Sequence, residues 1–228
     1  MPGRSSAEED CGRAMNRADL REAVAEAWRA FDRAGSLACR VRPSAPVLFF
    51  GDFDAYSHSP LRVLTVGLNP SRREFPGFDL FLRFPLAAGD PGRRLDRYLD
   101  ALCGYFRTCP YWAWFSTIEP LLNGMGASYH LEDTSAALHT DICSPVATDP
   151  TWSRLDGRDR RILEADGVTL WHSLLNVLRP QVVLLSIAQR HLSRIGFGPP
   201  DCEWRIIHTF DRTSSGARRS PPYTVRAR

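Results

Sequence analysis

The segment LRVLTVGLNPS, from Leu61 to Ser71, joins a run of apolar residues to a turn that contains glycine and proline. Its near-continuous apolar pattern is typical of a strand that is buried on both faces of a parallel sheet. The segment SAALHTDICSP, residues 135–145, predicts a strand that ends in a loop, and QVVLLSIA, residues 181–188, predicts a fully apolar strand. Helical patterns separate these runs, so the sequence predicts an α/β fold with a mostly parallel sheet.

We expect a three-layer α/β/α sandwich in which helices cover both faces of this sheet. Residues 1–17 are assigned to a mobile tail and residues 18–228 to a single domain. Periodicity, proline and capping signals predict the other elements, which are a helix at 18–34, a strand at 46–52, a helix beginning at Asp90, helices at 111–122 and 166–178, a short helix around His191 and a last strand at 204–210. Ligands bind at the carboxyl ends of such strands, so the loops GLNPS, TDICSP and HTFDRTSSGARR are the candidate sites.

Composition places the chain among ordinary soluble globular proteins. It has 228 residues, of which 43% are hydrophobic and 24% charged, and its formal net charge is +3. No apolar run approaches the roughly 20 residues of a membrane helix. The amino terminus, MPGRSSAEEDCGR, lacks the apolar core of a secretory signal. We therefore expect a cytoplasmic protein with no membrane partner, and the sequence implies no obligate protein partner.

All 29 basic residues are arginine, because the chain contains no lysine. Without lysine no internal Schiff base can form, which excludes pyridoxal enzymes, lysine-dependent lyases and the lysine of a P-loop. The six cysteines include no CxxC pair, and the six histidines are scattered. Structural zinc and iron-sulfur sites use closely spaced cysteines, so we expect neither a metal site nor a cofactor.

The turn GLNPS, Gly67 to Ser71, directly follows the strand with the clearest pattern. Glycine allows a close approach of the backbone, proline stiffens the turn, and Asn69 is placed over the end of the strand. Asparagine and proline are also common in ordinary turns, so the same residues fit a turn without a function.

GLNPS after a strand resembles the first motif of the uracil-DNA glycosylase superfamily, and it is most similar to the GINPG or GMNPG motif of the mismatch-specific, thymine and single-strand-selective branches. The segments TDI (140–142), LRPQVVLLS (178–186) and a last strand that leads into a basic loop follow in the order of that superfamily. The resemblance implies a uracil-DNA-glycosylase-like fold and a DNA glycosylase that needs no cofactor.

The resemblance assigns catalysis to Asn69, whose amide carbonyl would hold the attacking water. Backbone amides of GLNPS and either His208 or a neighbouring backbone amide would stabilise the departing base. The resemblance places Gly67 and Leu68 beside the base and makes Phe81 the ring that stacks on it. A phenylalanine in the segment FDLFLRFP also fits a place in the core.

The side chain that reads the base corresponds to Asp141, where the superfamily commonly has asparagine. An ionised aspartate only accepts hydrogen bonds, so it suits the N4 amine of cytosine better than O4 of uracil. A modified cytosine is therefore a candidate target beside uracil, and such an enzyme must require the modification to spare ordinary cytosine. His139 lies on the same face of the predicted strand and either contacts the base or positions Asp141. Both residues also fit structural roles.

The segment from Glu203 to Arg228 holds six arginines and two acidic residues, although the net charge of the whole chain is only +3. Such a basic loop is typical of a phosphate-binding face, and it also fits a solvated tail. The resemblance implies that this loop enters the DNA duplex. The expected DNA-binding residues are Ser71, Arg72, Arg73, Arg212, Ser215, Gly216, Arg218 and Arg219.

We expect a monofunctional DNA glycosylase that flips out a deaminated or modified pyrimidine and hydrolyses its N-glycosidic bond, in base-excision repair of damaged DNA or in antiviral defence against phages with modified DNA. The alternative is a module of the same fold that binds nucleic acid or a nucleobase without turnover. An esterase-type α/β hydrolase has only the segment GDFDAYSHS, residues 51–59, in its favour, and no serine follows Asp52 as that motif requires.

Overall fold

The computed structural model describes residues 15–76, 82–85, 94–132, 134–196, 203–210 and 223–227. The chain divides into two compact units, a first unit from Met1 to Ile187 and a second unit from Ala188 to Arg228. Phe81 and residues 211–222 lie outside the described residues.

The first unit contains a four-stranded sheet formed by β1 (Val63–Gly67), β2 (Ala127–Ser128), β3 (Ser135–Asp141) and β4 (Val182–Leu185). The strand order is β2-β3-β1-β4, and each of the three pairings is parallel. The prediction of a mostly parallel α/β sheet from the apolar runs is therefore confirmed. Gly67 lies opposite Asp141 in the register of β1 and β3, which brings the two predicted loops to the same edge.

Helices flank this sheet. The α-helices of the first unit are α1 (Arg21–Arg33), α2 (Phe53–His58), α3 (Leu95–Cys103), α4 (Trp112–Phe115), α5 (Glu119–Gly124) and α6 (Gly157–Leu178). Short 3₁₀ helices lie at Arg17–Leu20, Ala34–Ser36, Arg72–Glu74, Tyr105–Arg107 and Trp152–Arg154. Helix α1 packs against α6, and α2 packs against β3. None of the helices in the described part of the chain has the length and apolar character needed to cross a membrane.

Capping residues explain where two of these helices begin. Asn16 accepts hydrogen bonds from the amides of Ala18 and Asp19 and so starts the 3₁₀ turn that leads into α1. Helix α6 begins at Gly157, nine residues before the predicted start at Asp166, because the carboxylate of Asp156 caps it. The predicted end at Leu178 is confirmed.

The prediction of a strand over residues 46–52 is wrong. This segment is buried, but its only ladder contact among the described residues is an isolated bridge between Phe50 and His139. Gly51 then adopts a φ of 114°, a left-handed conformation that turns the chain toward α2. Asp52 caps α2 by accepting a hydrogen bond from Ala55, so its role is structural. Apolar residues here fill the core without pairing into the sheet.

The predicted single helix at 111–122 is also wrong, because two short helices, α4 and α5, occupy this segment. Pro120 lies at the start of α5 and has no amide hydrogen to donate to the preceding turn. Proline is tolerated at the first turn of a helix and breaks one in its interior, so the chain restarts its helix at Glu119.

Aromatic rings form the core next to the carboxyl ends of the strands. The ring centroid of Phe115 lies 5.7 Å from that of Phe50, 5.6 Å from Tyr105, 4.9 Å from Phe106 and 5.2 Å from Tyr129. Contacts of this kind contribute about 0.5–1.5 kcal/mol each beyond the burial of their area. These rings form a rigid surface against which polar side chains can pack.

In the second unit, β5 (Arg205–Phe210) pairs antiparallel with β6 (Tyr223–Ala227). The predicted last strand at 204–210 is therefore a strand, and its described partner is β6, which the sequence pattern did not indicate. The predicted short helix around His191 is a 3₁₀ helix, Gln189–Arg194.

Candidate active site

A cavity of about 390 Å³ opens at the carboxyl ends of β1, β3 and β4, and we call it the carboxyl-end pocket. Seven residues predicted for the site line it, namely Gly67, Leu68, Asn69, Ser71, Arg73, His139 and Asp141. Its volume lies near the lower end of the range of about 300–1,000 Å³ for small-molecule sites. A cavity of this size suits a ligand comparable with a nucleoside.

The strand order explains why the pocket forms here. From β1 the chain continues to β2 and β3 on one side of the sheet and reaches β4 on the other side. Loops that leave neighbouring strands in opposite directions open a crevice at their carboxyl ends, which is where α/β sheets bind ligands. Two of the three predicted loops, GLNPS and TDICSP, therefore contribute residues to this pocket.

Asn69 is held by its amide nitrogen. Nδ2 donates to the carbonyl of Pro70 at 2.8 Å, to the carbonyl of Val146 at 3.1 Å and to Oγ1 of Thr148 at 2.9 Å. Three acceptors fix which end of the amide is the nitrogen. Asn69 lines the pocket, and none of the described residues donates a hydrogen bond to its carbonyl oxygen Oδ1. The Asn69 carbonyl is therefore the atom that can accept a hydrogen bond from water in the pocket.

The loop that carries Asn69 is tied to the loop after β3 by backbone hydrogen bonds. The amide of Cys143 donates to the carbonyl of Leu68 at 2.9 Å, and that of Thr148 donates to Pro70 at 3.1 Å. The amide of Arg72 donates back to Thr148 at 3.2 Å. These bonds hold the two loops in a fixed relation, so the side chains on them are preorganised.

Asp141 and His139 project from the same face of β3 over Gly67. Nε2 of His139 lies 3.7 Å from Oδ1 of Asp141. A Cβ on Gly67 would lie 2.6 Å from Oδ1 of Asp141 and 3.2 Å from Nε2 of His139. Only glycine at position 67 therefore leaves room for this carboxylate, which is a requirement that the sequence analysis did not derive.

The ring of His139 is held from behind by a buried hydrogen-bond network. Its Nδ1 lies 2.8 Å from Oγ1 of Thr65, and that hydroxyl lies 2.6 Å from the hydroxyl of Tyr129. The ring of Trp114 lies 4.5 Å from the imidazole, centroid to centroid. His139 is thus both part of the pocket lining and part of the core, and its Nε2 is the nitrogen directed toward Asp141.

Aromatic side chains supply most of the apolar wall of the pocket. They are Phe50, Tyr111, Trp114, Phe115 and Trp152. Trp114 and Tyr111 are half-buried, so their faces are accessible to a ligand. The resemblance instead makes Phe81 the stacking ring, and the sequence pattern of YWAWF, residues 111–115, predicts only part of a helix. The density of aromatics in that segment was the signal that could have identified it.

Glu74 is the functional group that the sequence analysis missed entirely. It lines the pocket although only 6% of the residue is exposed, and its Oε2 accepts a hydrogen bond of 2.5 Å from the hydroxyl of Tyr105. Burial raises the pKa of this carboxyl from 4.5 to about 7, the Tyr105 hydrogen bond and the charge of Arg83 lower it, and the charge of Asp141 raises it. In the charged segment SRRE, a glutamate has no sequence signal that distinguishes it from a surface residue.

The described lining of the pocket does not include the other predicted site residues. Arg72 is exposed beside the pocket and does not line it. His208 is an exposed residue of β5 in the second unit. Phe81, Arg212, Ser215, Gly216, Arg218 and Arg219 lie outside the described residues.

No family model, no curated protein and no solved structure matches this chain. Its function must therefore follow from the chemistry of the pocket. The pocket combines a fixed carbonyl oxygen at Asn69, a carboxylate at Asp141, a carboxyl that titrates near neutral pH at Glu74, and aromatic faces. Such a set can orient a water molecule, read hydrogen-bond donors on a flat ring and move a proton.

Proposed function

We propose that the protein is a monofunctional DNA glycosylase that hydrolyses the N-glycosidic bond of a flipped-out pyrimidine, either uracil-type or a modified cytosine. The observation that carries this proposal is the orientation of Asn69. Three acceptors hold its Nδ2, which leaves Oδ1 to hold a water molecule at the pocket. An amide carbonyl is a weak base, and it suffices where the sugar carbon becomes strongly electrophilic, as in an oxocarbenium-like transition state.

The remaining lining of the pocket supports a flat, polar-edged ligand. Trp114 and Tyr111 offer aromatic faces for stacking, and Asp141 offers hydrogen-bond acceptors for a base edge. Arg73 is exposed at the lining and can contact a phosphate of the DNA backbone. On this proposal the fold is the three-layer uracil-DNA-glycosylase-like sandwich, and the target base belongs to repair or to antiviral defence.

Base release from a panel of oligonucleotides tests the proposal. The panel contains uracil, hydroxymethyluracil, a thymine mismatch, cytosine, and plain and substituted hydroxymethylcytosine, each in single-stranded and duplex form. We expect free base from at least one modified substrate, no strand cleavage by the enzyme itself, and no release from ordinary cytosine.

The purified chain would instead be a nucleic-acid-binding module if it binds one of these oligonucleotides tightly and releases base from none of them. The substitution Asn69→Ala separates the two functions, because a binding module loses little affinity and an enzyme loses base release.

A further inference from the structure

Resting on the glycosylase function proposed above, we propose that the carboxyl-end pocket acts on modified cytosines, whose ring carries an exocyclic N4 amine, and that Glu74 donates the proton with which the base leaves. Glu74 and Asp141 then act as a pair of carboxyl groups with different tasks, one as a proton donor and the other as a hydrogen-bond acceptor.

The position of Glu74 follows from the loop that carries Asn69. A 3₁₀ turn, Arg72–Glu74, comes directly after GLNPS and turns Glu74 inward while Arg72 and Arg73 remain exposed. The carboxyl therefore lines the same pocket as Asn69 and Asp141. Within the described ranges, no guanidinium lies within ion-pair distance of it, so no cation holds it permanently ionised.

The protonation state of Glu74 depends on the groups that face it. Burial and the charge of Asp141 favour the neutral carboxyl, whereas the Tyr105 hydroxyl and the more distant charge of Arg83 favour the carboxylate. The balance places its pKa at about 7, so both forms are populated at neutral pH. Arg73, Tyr111 and His139 are the other charged or titratable residues in the described lining of the pocket. A group with this balance can give and recover a proton in each turnover.

The charge of the pocket disfavours a base that leaves as an anion. Asp141 is buried to 9% exposure at the lining, and the described lining residues include one guanidinium, that of Arg73, which is exposed. A negative charge that develops on the base beside a buried carboxylate is repelled more strongly than in water. A base that takes up a proton as its glycosidic bond breaks leaves as a neutral molecule and avoids this repulsion.

The reaction then balances with one water molecule. The bond between C1′ and the base nitrogen breaks with its electron pair going to the base, while the Glu74 carboxyl gives its proton to O2 or N3 of that base. The water held by Asn69 adds its oxygen to C1′, and its excess proton passes to the Glu74 carboxylate. The products are the neutral base and the abasic sugar, and Glu74 ends protonated as it began.

Cytosine-type bases gain most from this arrangement. Their N4 amine donates to the Asp141 carboxylate, and their N3 and O2 are acceptors for the proton of Glu74. Without that proton a cytosine is a poorer leaving group than a uracil, because its amino group stabilises a negative charge less than a carbonyl does. A pocket that contains both Glu74 and Asp141 therefore suits a cytosine ring, which requires protonation to leave.

The test measures single-turnover base release between pH 5 and pH 9 from oligonucleotides that contain hydroxymethylcytosine, substituted hydroxymethylcytosine or uracil. The variants are Glu74→Gln, Tyr105→Phe and Asp141→Asn. The control is Glu119→Gln, which alters another buried glutamate whose carboxylate accepts a 2.5 Å hydrogen bond, from Ser128, outside the pocket. Thermal melting and circular dichroism confirm that each variant is folded.

We expect the wild type to prefer a cytosine-type base and to lose rate as the pH rises above about 7, with Glu119→Gln unchanged. Glu74→Gln should lower the rate on that base by roughly 10²-fold or more and remove the decline at high pH. Tyr105→Phe removes a hydrogen bond that favours the carboxylate, so the decline should move to higher pH. Asp141→Asn should shift the preference toward uracil, because an amide can also donate to O4.

The inference is overturned if Glu74→Gln keeps the rate and the pH profile of the wild type, or if the wild type prefers uracil and Asp141→Asn leaves that preference unchanged. If Asn69→Ala abolishes base release in the same assays while Glu74→Gln does not, the glycosylase function stands and only the role of Glu74 fails. If the wild type releases no base at all, both proposals fail.

Discussion

Buried polar side chains at the two ends of the four-stranded sheet differ in whether their hydrogen bonds are made within the chain. At the amino end of β3, the amino-end cluster consists of Ser59, Glu119, Ser128 and Ser135, and these side chains bond to backbone groups or to one another. The hydroxyl of Ser128 donates to Glu119 and accepts from the amides of His130 and Leu131. Ser59 and Ser128 also line a cavity, of about 270 Å³, but their hydroxyls are bonded to the chain. At the carboxyl end, Asn69, Glu74 and Asp141 line the larger carboxyl-end pocket, and no described residue donates a hydrogen bond to the Asn69 carbonyl oxygen.

This difference distinguishes polar residues with a structural role from those available to a ligand. A buried polar group that is satisfied by the chain holds a turn or a strand end in place. A buried polar group that faces a cavity is available to a ligand, and its burial makes each interaction with that ligand stronger. The amino-end cluster therefore affects stability alone, whereas the carboxyl-end pocket affects chemistry and, through the titration of Glu74, the pH dependence of stability. Substitutions at the two ends can test this division.

The largest effect on stability is expected from Glu74→Gln, and it depends on pH. A carboxyl whose folded-state pKa is raised from 4.5 to about 7 contributes stability that is full below pH 4.5 and is lost as the pH rises through about 7. Because glutamine does not titrate, the free energy of unfolding of the wild type relative to the variant should fall by roughly 3 kcal/mol between pH 4.5 and pH 8. Urea denaturation at both pH values measures this, and a difference that does not change with pH contradicts the assignment.

Ser128→Ala should have the next largest effect, confined to the amino end. The substitution leaves the amides of His130 and Leu131 and the carboxylate of Glu119 without their shared hydroxyl. The loss of these buried hydrogen bonds should lower the free energy of unfolding by about 1–3 kcal/mol. The rate of base release should not change at a temperature where the variant is folded. A large loss of rate without a loss of stability would mean that the amino end takes part in the chemistry.

Gly67→Ala should produce a smaller effect at the carboxyl end. The added methyl group must displace the carboxylate of Asp141, which would otherwise lie 2.6 Å from the new Cβ. Loss of one hydrogen bond to the base predicts a rate lower by roughly tenfold on the preferred substrate. Gly124→Ala is the matched control, because its Cβ meets no atom within 4 Å. Equal rates for the two variants would show that the position of Asp141 is not important.

The sequence was sufficient to predict the sheet and one edge of the site. The apolar runs of β1, β3 and β4 identify parallel strands, and parallel strands bring the loops after Gly67 and Asp141 together. Pro180 correctly predicts the end of α6 at Leu178. These predictions succeed because local pattern and tertiary environment agree in such segments.

The wrong or missed predictions fall in segments whose conformation depends on tertiary packing rather than on the local sequence pattern. The apolar segment at 46–52 has the composition of a strand, but Gly51 turns it away from the sheet, so it pairs only at Phe50. Glu74 belongs to a charged segment, and only the 3₁₀ turn at Arg72–Glu74 places it in the pocket. Trp114 lines the pocket from α4, a short helix whose end at Phe115 the apolar pattern did not indicate.

The most direct test of the central claim measures binding and single-turnover base release on the same oligonucleotide for the wild type, Asn69→Ala and Asn123→Ala. Asn123 is an exposed asparagine of α5 at the other end of the sheet and serves as the matched control. We predict that Asn69→Ala binds within about threefold of the wild type and releases base at least about 100-fold more slowly, while Asn123→Ala behaves as the wild type. Base release at the wild-type rate by Asn69→Ala would contradict a hydrolytic role for the carboxyl-end pocket.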